Sequence, residues 1–189
     1  GFVDSSTTLS LAPTCVARNA TPVVNLPNIS MNELKGGLTS SAEFNVEVEC
    51  NDTAVSGVEQ DQVAIGFQPS NSAYMNAQKL GLIHSNGASN YLVSDDYYNE
   101  INAKGVGIQL QHSTTQTDML FLNQFAISGG GTLAGWYPVL EGNPDSLHSN
   151  QPGFTTYLQR YKAILTKLPD LTPTPGKVKA TATVVVKIQ

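Results

Sequence analysis

Val178-Lys-Ala-Thr-Ala-Thr-Val-Val-Val-Lys-Ile188 alternates as one long strand does. Val178, Ala180, Ala182, Val184, Val186 and Ile188 fall on one face, and Lys179, Thr181, Thr183, Val185 and Lys187 on the other. Side chains in a strand alternate between faces, so an apolar stripe stands opposite a mostly polar, lysine-bearing one. At the rise of an extended chain the stretch would run roughly 35 Å, about twice a typical strand. A stripe so long and so one-sided has to be covered by something.

Working outward, the rest of the chain reads as further strands separated by turn residues. In Phe44-Asn-Val-Glu-Val-Glu-Cys50 the residues Phe44, Val46, Val48 and Cys50 face inward and Asn45, Glu47 and Glu49 outward. Pro22–Leu26, Gln62–Phe67, Val106–Gln111 and Asp118–Phe125 are expected strands, with Gly81–His84 and Asn90–Val93 as shorter candidates. Ile29–Leu34 is a short element before Gly36-Gly37. Gly129-Gly130-Gly131 is a turn, residues 141–153 form a polar loop, and Thr155–Leu168 alternates as a strand. Short strands at this spacing with few helix signals specify an all-β antiparallel sandwich or barrel.

The composition fits that class. The chain has 189 residues, enough for one large domain, and only 13% of them are charged. Net charge is −5 with no basic cluster, which argues against nucleic acid or an anionic membrane as a partner. No stretch approaches the ~20 apolar residues of a membrane-spanning helix. No signal peptide is recognisable, so the chain is expected to be a processed form or an excised domain. The two cysteines, Cys15 and Cys50, suggest one disulfide formed in an oxidising compartment. Closing that loop would stabilise the fold by roughly 4 kcal/mol in the chain-entropy model.

Candidate chemistry is sparse. His84, His112 and His148 match no metal spacing and read as surface or loop residues. Asp95-Asp96 reads as an exposed turn. No Lys-Ser/Thr follows the triple glycine at the spacing of a phosphate loop, and there is no Gly-x-Ser-x-Gly elbow. Asn19-Ala-Thr, Asn28-Ile-Ser and Asn51-Asp-Thr are glycosylation sequons of a kind expected by chance in so Asn-, Ser- and Thr-rich a chain. Trp136-Tyr137 is a weak candidate for stacking on a sugar ring. Nothing supports catalysis, and no cofactor is implied.

Three motifs in order carry a resemblance. They are Cys15 through Pro22-Val-Val-Asn-Leu-Pro27, Leu34 and Gly37-Leu-Thr-Ser-Ser to Phe44–Cys50; then Gly105-Val-Gly-Ile-Gln-Leu110; then Pro175–Gln189. Together they resemble the pilin domains of chaperone–usher fimbriae of Gram-negative bacteria, over most of residues 15–189. The resemblance implies a Cys15–Cys50 disulfide and an incomplete immunoglobulin-like sandwich that lacks its last strand. Val178, Ala180, Ala182, Val184, Val186 and Ile188 would then line a groove filled first by a periplasmic chaperone, gripping near Gln189. At the outer-membrane usher a neighbouring subunit's strand would replace it by β-strand addition. The protein would reside on the bacterial outer surface.

Residues 1–14 read as a linker or N-terminal extension before the pilin domain of residues 15–189. Fourteen residues are few for a donor strand and a first strand together, and Leu26-Pro27 resembles tip adhesins. The favoured expectation is therefore the C-terminal pilin domain of a two-domain tip adhesin, whose receptor-binding domain lies outside this chain. In the alternative, a complete shaft or minor pilin, residues 2–11 are the donor strand, with Val3, Ser5, Thr7, Leu9 and Leu11 inward. A second alternative is a secreted carbohydrate-binding sandwich using Trp136, Tyr137 and residues 141–153. Length beyond that usual for a pilin is expected in residues 68–104 and 138–155.

Overall fold

The computed structural model describes residues 13–149 and 151–189. Its strands are β1 (Cys15–Ala20), β2 (Ser40–Asn51), β3 (Val63–Pro69), β4 (Val106–His112), β5 (Asp118–Met119), β6 (Tyr137–Pro138), β7 (Asp145–Leu147), β8 (Phe154–Lys167) and β9 (Ala182–Ile188). Two short helices join them, α1 (Met31–Lys35) and α2 (Asn71–Lys79). One sheet runs β1-β2-β8-β4-β5, with β7 also beside β8, and the other runs β6-β3-β9. Every ladder between these strands is antiparallel. The sheets pack as an open sandwich of immunoglobulin-like type around Val46, Val48, Ile65, Phe67, Leu110 and Tyr161.

The alternation expected of β2 is present: Val46, Val48 and Cys50 are buried and Phe44 is half-buried against the core. In β3 both faces are buried. Its outer face carries Ala64 and Gly66, and the loop of residues 122–136 folds down over it, packing Leu122, Ala126 and Trp136 against Ala64. A Cβ at Gly66 would lie 2.6 Å from Leu122 Cδ1 and 2.9 Å from the Gly135 carbonyl oxygen, so only glycine permits this approach.

Helix α1 begins with a capping box. The Ser30 hydroxyl accepts from the Glu33 N–H, and the Glu33 carboxylate accepts from the Ser30 N–H. Leu34 of this helix is buried in a second apolar cluster with Ala103, Val106 and Leu165. The hydroxyl of Ser70 caps α2, which lies in the expected long insertion of residues 68–104.

Several expected strands differ. Pro22–Leu26 is no strand: after the Thr21 N–H reaches the Asn45 carbonyl the chain leaves β2, and the prolines at 22 and 27 have no N–H to give a ladder. Gly81–His84 and Asn90–Val93 supply only isolated bridges, Ile83 to Ser89 and Leu92 to Ile108. Asp118–Phe125 shortens to β5 because the chain then crosses between sheets, where the Leu122 N–H donates to the Phe67 carbonyl. The polar loop of residues 141–153 contains β7, paired with β8. Thr155–Leu168 is a strand, β8, as its alternation predicts.

Cys15 and Cys50 stand directly opposite each other in the β1–β2 register, are both buried, and form a disulfide. It ties β1, bonded by a ladder on one side only, to the core. Replacing both cysteines with alanine should lower stability by about 2–4 kcal/mol, read as a drop in the urea midpoint with an unchanged slope. A midpoint unaffected by reduction or by the double replacement would show that β1 holds its place without the bond.

Candidate strand-accepting groove

Strand β9 forms one wall of an open seam. It pairs with β3 from Val63 opposite Ile188 to Pro69 opposite Ala182, without a bulge. The Ser70 N–H donates to the Thr181 carbonyl at one end, and the Gln189 N–H to the Gln62 carbonyl at the other. Bonding alternates along an antiparallel ladder, so the odd-numbered residues between these two turn their main-chain groups toward β3. Ala182, Val184, Val186 and Ile188 turn theirs the other way, to an edge on which no described strand pairs.

Across the seam lies β1, close to β9 yet sharing no ladder with it. Residues 22–29 continue this opposite wall without pairing, with Val24, Leu26 and Ile29 half-buried. Two main-chain edges that carry no ladder among the described residues thus face each other over the sandwich core. Beneath them sits an aromatic cluster in which Phe44 and Phe67 meet at 5.9 Å, Phe44 and Tyr161 at 5.7 Å, and Phe67 and Tyr161 at 5.0 Å.

The apolar stripe is half-finished. Val178, Ala180, Ala182, Val184, Val186 and Ile188 are all half-buried; none reaches the burial of Val63 or Ile65 opposite, which are 0% exposed. Ala180 through Ile188 pack on the main core, and Val178 on the cluster around Leu34. The expected eleven-residue strand is seven residues long in its ladder. Residues 178–181 keep the alternation of exposure but bond to the loop of residues 94–103 in place of β3.

The C-terminal end of the seam is closed by a loop. The Ser128 hydroxyl donates to the Ile188 carbonyl, the Gly129 N–H to Gln189 Oε1, and Lys187 Nζ to the Ala126 carbonyl. Gln189, the expected point of chaperone contact, is also bonded through its own carbonyl to the Asp61 N–H. The candidate donor residues Val3, Leu9 and Leu11, with Ser5 and Thr7, lie outside the described residues.

The other candidates resolve differently. Trp136 is fully buried, with its indole N–H donated to the Ile127 carbonyl, and Tyr137 is buried with its hydroxyl accepting from the Leu120 N–H. Neither presents a face to a sugar, which corrects the stacking expectation; their apolar bulk serves the core. His112 is likewise no surface residue. It is buried, its Nδ1 accepts from the Thr114 and Thr115 N–H groups, and its Nε2 donates to Gln159 Oε1. His84 and His148 are exposed, as expected. Asp95-Asp96 lies in a turn, as expected, with Asp96 exposed, while Asp95 is half-buried and bonded to Ser70 and Thr181. Among the described residues no cluster of His, Cys, Asp or Glu is arranged to hold a metal ion, and no helix is long and apolar enough to cross a membrane.

A family model for fimbrial proteins matches residues 4–189. The chain belongs to the fimbrial protein family. This fimbrial chain also shares its fold with a subunit in a chaperone–usher pilus structure that addresses rod uncoiling. There the TM-score is 0.53 and the identity 14%, with 100% of this chain and 94% of that one covered. The P pilus rod subunit PapA aligns at 15% identity and a TM-score of 0.48 over the whole of both chains. The CupB6 tip adhesin of Pseudomonas aeruginosa aligns at 12% identity and 0.40, with 81% of this chain and 32% of that one covered. A comparison with curated protein sequences finds no match. The fimbrial chain is thus a structural pilus subunit with an unclosed all-β fold.

Tyr161 offers a probe of the core beneath the seam. Its hydroxyl is buried with no partner among the described residues. Burial, seconded by the nearby Glu141 charge, pushes its phenol far above the ordinary value. The unfolded chain releases this proton near pH 10 and the folded chain does not. Stability from this group is therefore complete below about pH 10 and declines as pH rises above it. Tyr161→Phe should be within about 1 kcal/mol of the parent at neutral pH and should flatten the alkaline decline, leaving a remainder from Tyr137, whose phenol burial also raises. Guanidinium midpoints at about pH 8 and pH 11 test this. An alkaline decline of the same steepness in both proteins would show that Tyr161 does not cause it.

Proposed function

We propose that this fimbrial subunit joins its fibre by taking an extended strand from a neighbouring subunit into the seam between β1 and β9. The observation that carries the reading is the half-buried stripe of Val178 to Ile188 along an edge with no described partner, facing a second unpaired wall. A strand laid there would add a ladder to β9 and cover the stripe, the mode of β-strand addition. A periplasmic chaperone would hold the seam earlier, near Gln189, with release at an outer-membrane usher and residence on the bacterial outer surface.

The energetics support a required partner. Fully burying an apolar side chain is worth about 1.5–3 kcal/mol, so finishing a half-buried Val or Ile adds about 1 kcal/mol. Over the stripe this reaches several kcal/mol, comparable with the whole stability of a typical domain. An unpaired edge of this length also invites uncontrolled pairing.

Two places in a fibre are compatible with this chemistry. The Leu26-Pro27 sequence, which resembles tip adhesins, supports the pilin domain of an adhesin whose other domain meets the receptor. The family match from residue 4, inside the arm of residues 1–14, supports a shaft or minor subunit whose residues 2–11 are donated onward. A Leu9→Cys, Val184→Cys pair decides between them: cross-linking between neighbours in assembled fibres marks a donor arm, and its absence the adhesin placement.

A chain carrying a copy of residues 2–11 grafted after Gln189 should unfold in guanidinium at least ~3 kcal/mol above the parent, from the burial just described. Val184→Asp should abolish both this gain and entry into fibres, because a buried unpaired charge costs several kcal/mol. A highly stable parent monomer that gains nothing from the graft would sink the proposal.

A further inference from the structure

The seam is longer than the sheet that frames it. From Lys177 onward the chain's odd-numbered residues are bonded to the body of the domain even where β3 has ended. Lys177 donates to the Ile101 carbonyl and accepts from the Ala103 N–H. Lys179 donates to the Ser94 hydroxyl and accepts from the Asp95 N–H. The Thr181 N–H donates to Asp95 Oδ1, its hydroxyl donates to Asp95 Oδ2 at 2.6 Å, and its carbonyl accepts from the Ser70 N–H. The loop of residues 94–103 thus does for residues 177–181 what β3 does for β9.

By the alternation of a strand, Val178 and Ala180 then turn their N–H and C=O groups outward, in line with those of Ala182, Val184 and Val186. Their side chains keep the phase as well: Val178 and Ala180 are half-buried, while Lys177, Lys179 and Thr181 are exposed. At the other end Ser128 already occupies the Ile188 carbonyl.

We propose that Asp95 is a positioning residue for strand acceptance, holding residues 178–181 as an extension of the β9 edge, so that a partner strand pairs from Val178 to Val186. Asp95 suits the task because one carboxylate gathers three donors: the Thr181 N–H, the Thr181 hydroxyl and the Ser70 hydroxyl at 2.6 Å. Ser70 also caps α2, so the extension is anchored to a helix as well as to the loop. A subunit whose loop lacked these groups would offer a shorter edge. The length of donor strand accepted is thus set by the loop of residues 94–103. This rests on the strand-addition reading above.

Amide exchange of assembled fibres of the full chain, dissolved after labelling and read residue by residue, tests it. The amides of Val178 and Ala180 should be protected together with those of Ala182, Val184 and Val186. Asp95→Ala should speed exchange at Val178 and Ala180 at least ~10-fold, as loss of a local hydrogen-bonded edge does, and leave the other three unchanged. Should Asp95→Ala not assemble, Asp95→Asn, which keeps the shape and one acceptor oxygen, carries the same expectation. Protection confined to residues 182–186 in the parent would overturn the extension. Protection at Val178 and Ala180 that survives both replacements would overturn the role of Asp95. Fast exchange at all five positions would instead overturn strand addition itself.

Discussion

A strand can form ladders on two sides, and among the described residues β9 has a strand beside it on one side only. Much else in this fold follows from that asymmetry. The odd-numbered residues of the C-terminal segment are committed to β3 and to the loop beyond it; the even-numbered ones carry apolar side chains inward and main-chain groups outward. Half-burial of the stripe is the packing expression of the same fact. A sandwich that ends its second sheet at β9 and its first at β1 has, among the described residues, no ladder joining those two edges.

The remainder of the molecule holds the two walls of the seam in place. The Cys15–Cys50 bond fixes β1 to β2, and β2 is paired with β8 along nearly its whole length. Phe44, Phe67 and Tyr161 fill the floor in edge-on and tilted contacts that favour aromatic packing. The loop of residues 122–136 seals the outer face of the β3 sheet with Trp136. For the strand addition proposed above, walls fixed in this way would lower the ordering cost of binding.

What the sequence discloses depends on how local the physics is. Period-two alternation exposed β2, β8 and the terminal stripe because each is decided by one buried face. Pro22–Leu26 has strand composition, but pairing needs a neighbour, and the path of the chain away from β2 is not written in those residues. The stretch after Asp118 failed for a related reason, since it crosses from one sheet to the other at Leu122. Helix α1 was legible in principle through the Ser30-x-x-Glu33 capping pattern. The burial of His112 was not, because its partners Gln159, Thr114 and Thr115 become neighbours only in the folded chain. The alternation of the terminal stripe could be read from the sequence alone; the side-chain bonds of Ser128 and Asp95 that flank it could not.

The blunting of the opposite sheet edges has a consequence for the shape of any assembly. The three-residue β7 pairs with the first half of β8 and β4 with the second, beyond β4 lie only the two-residue β5 and the bridge from Leu92 to Ile108, and β3 is flanked on its far side by the two-residue β6. Short, interrupted edges are poor templates for another chain. Among the described residues the seam is the one long edge without a strand beside it, so the proposed strand addition would give the subunit an acceptor valence of one. Units that each accept a single strand add end to end, and growth stays in one dimension instead of branching into a precipitate.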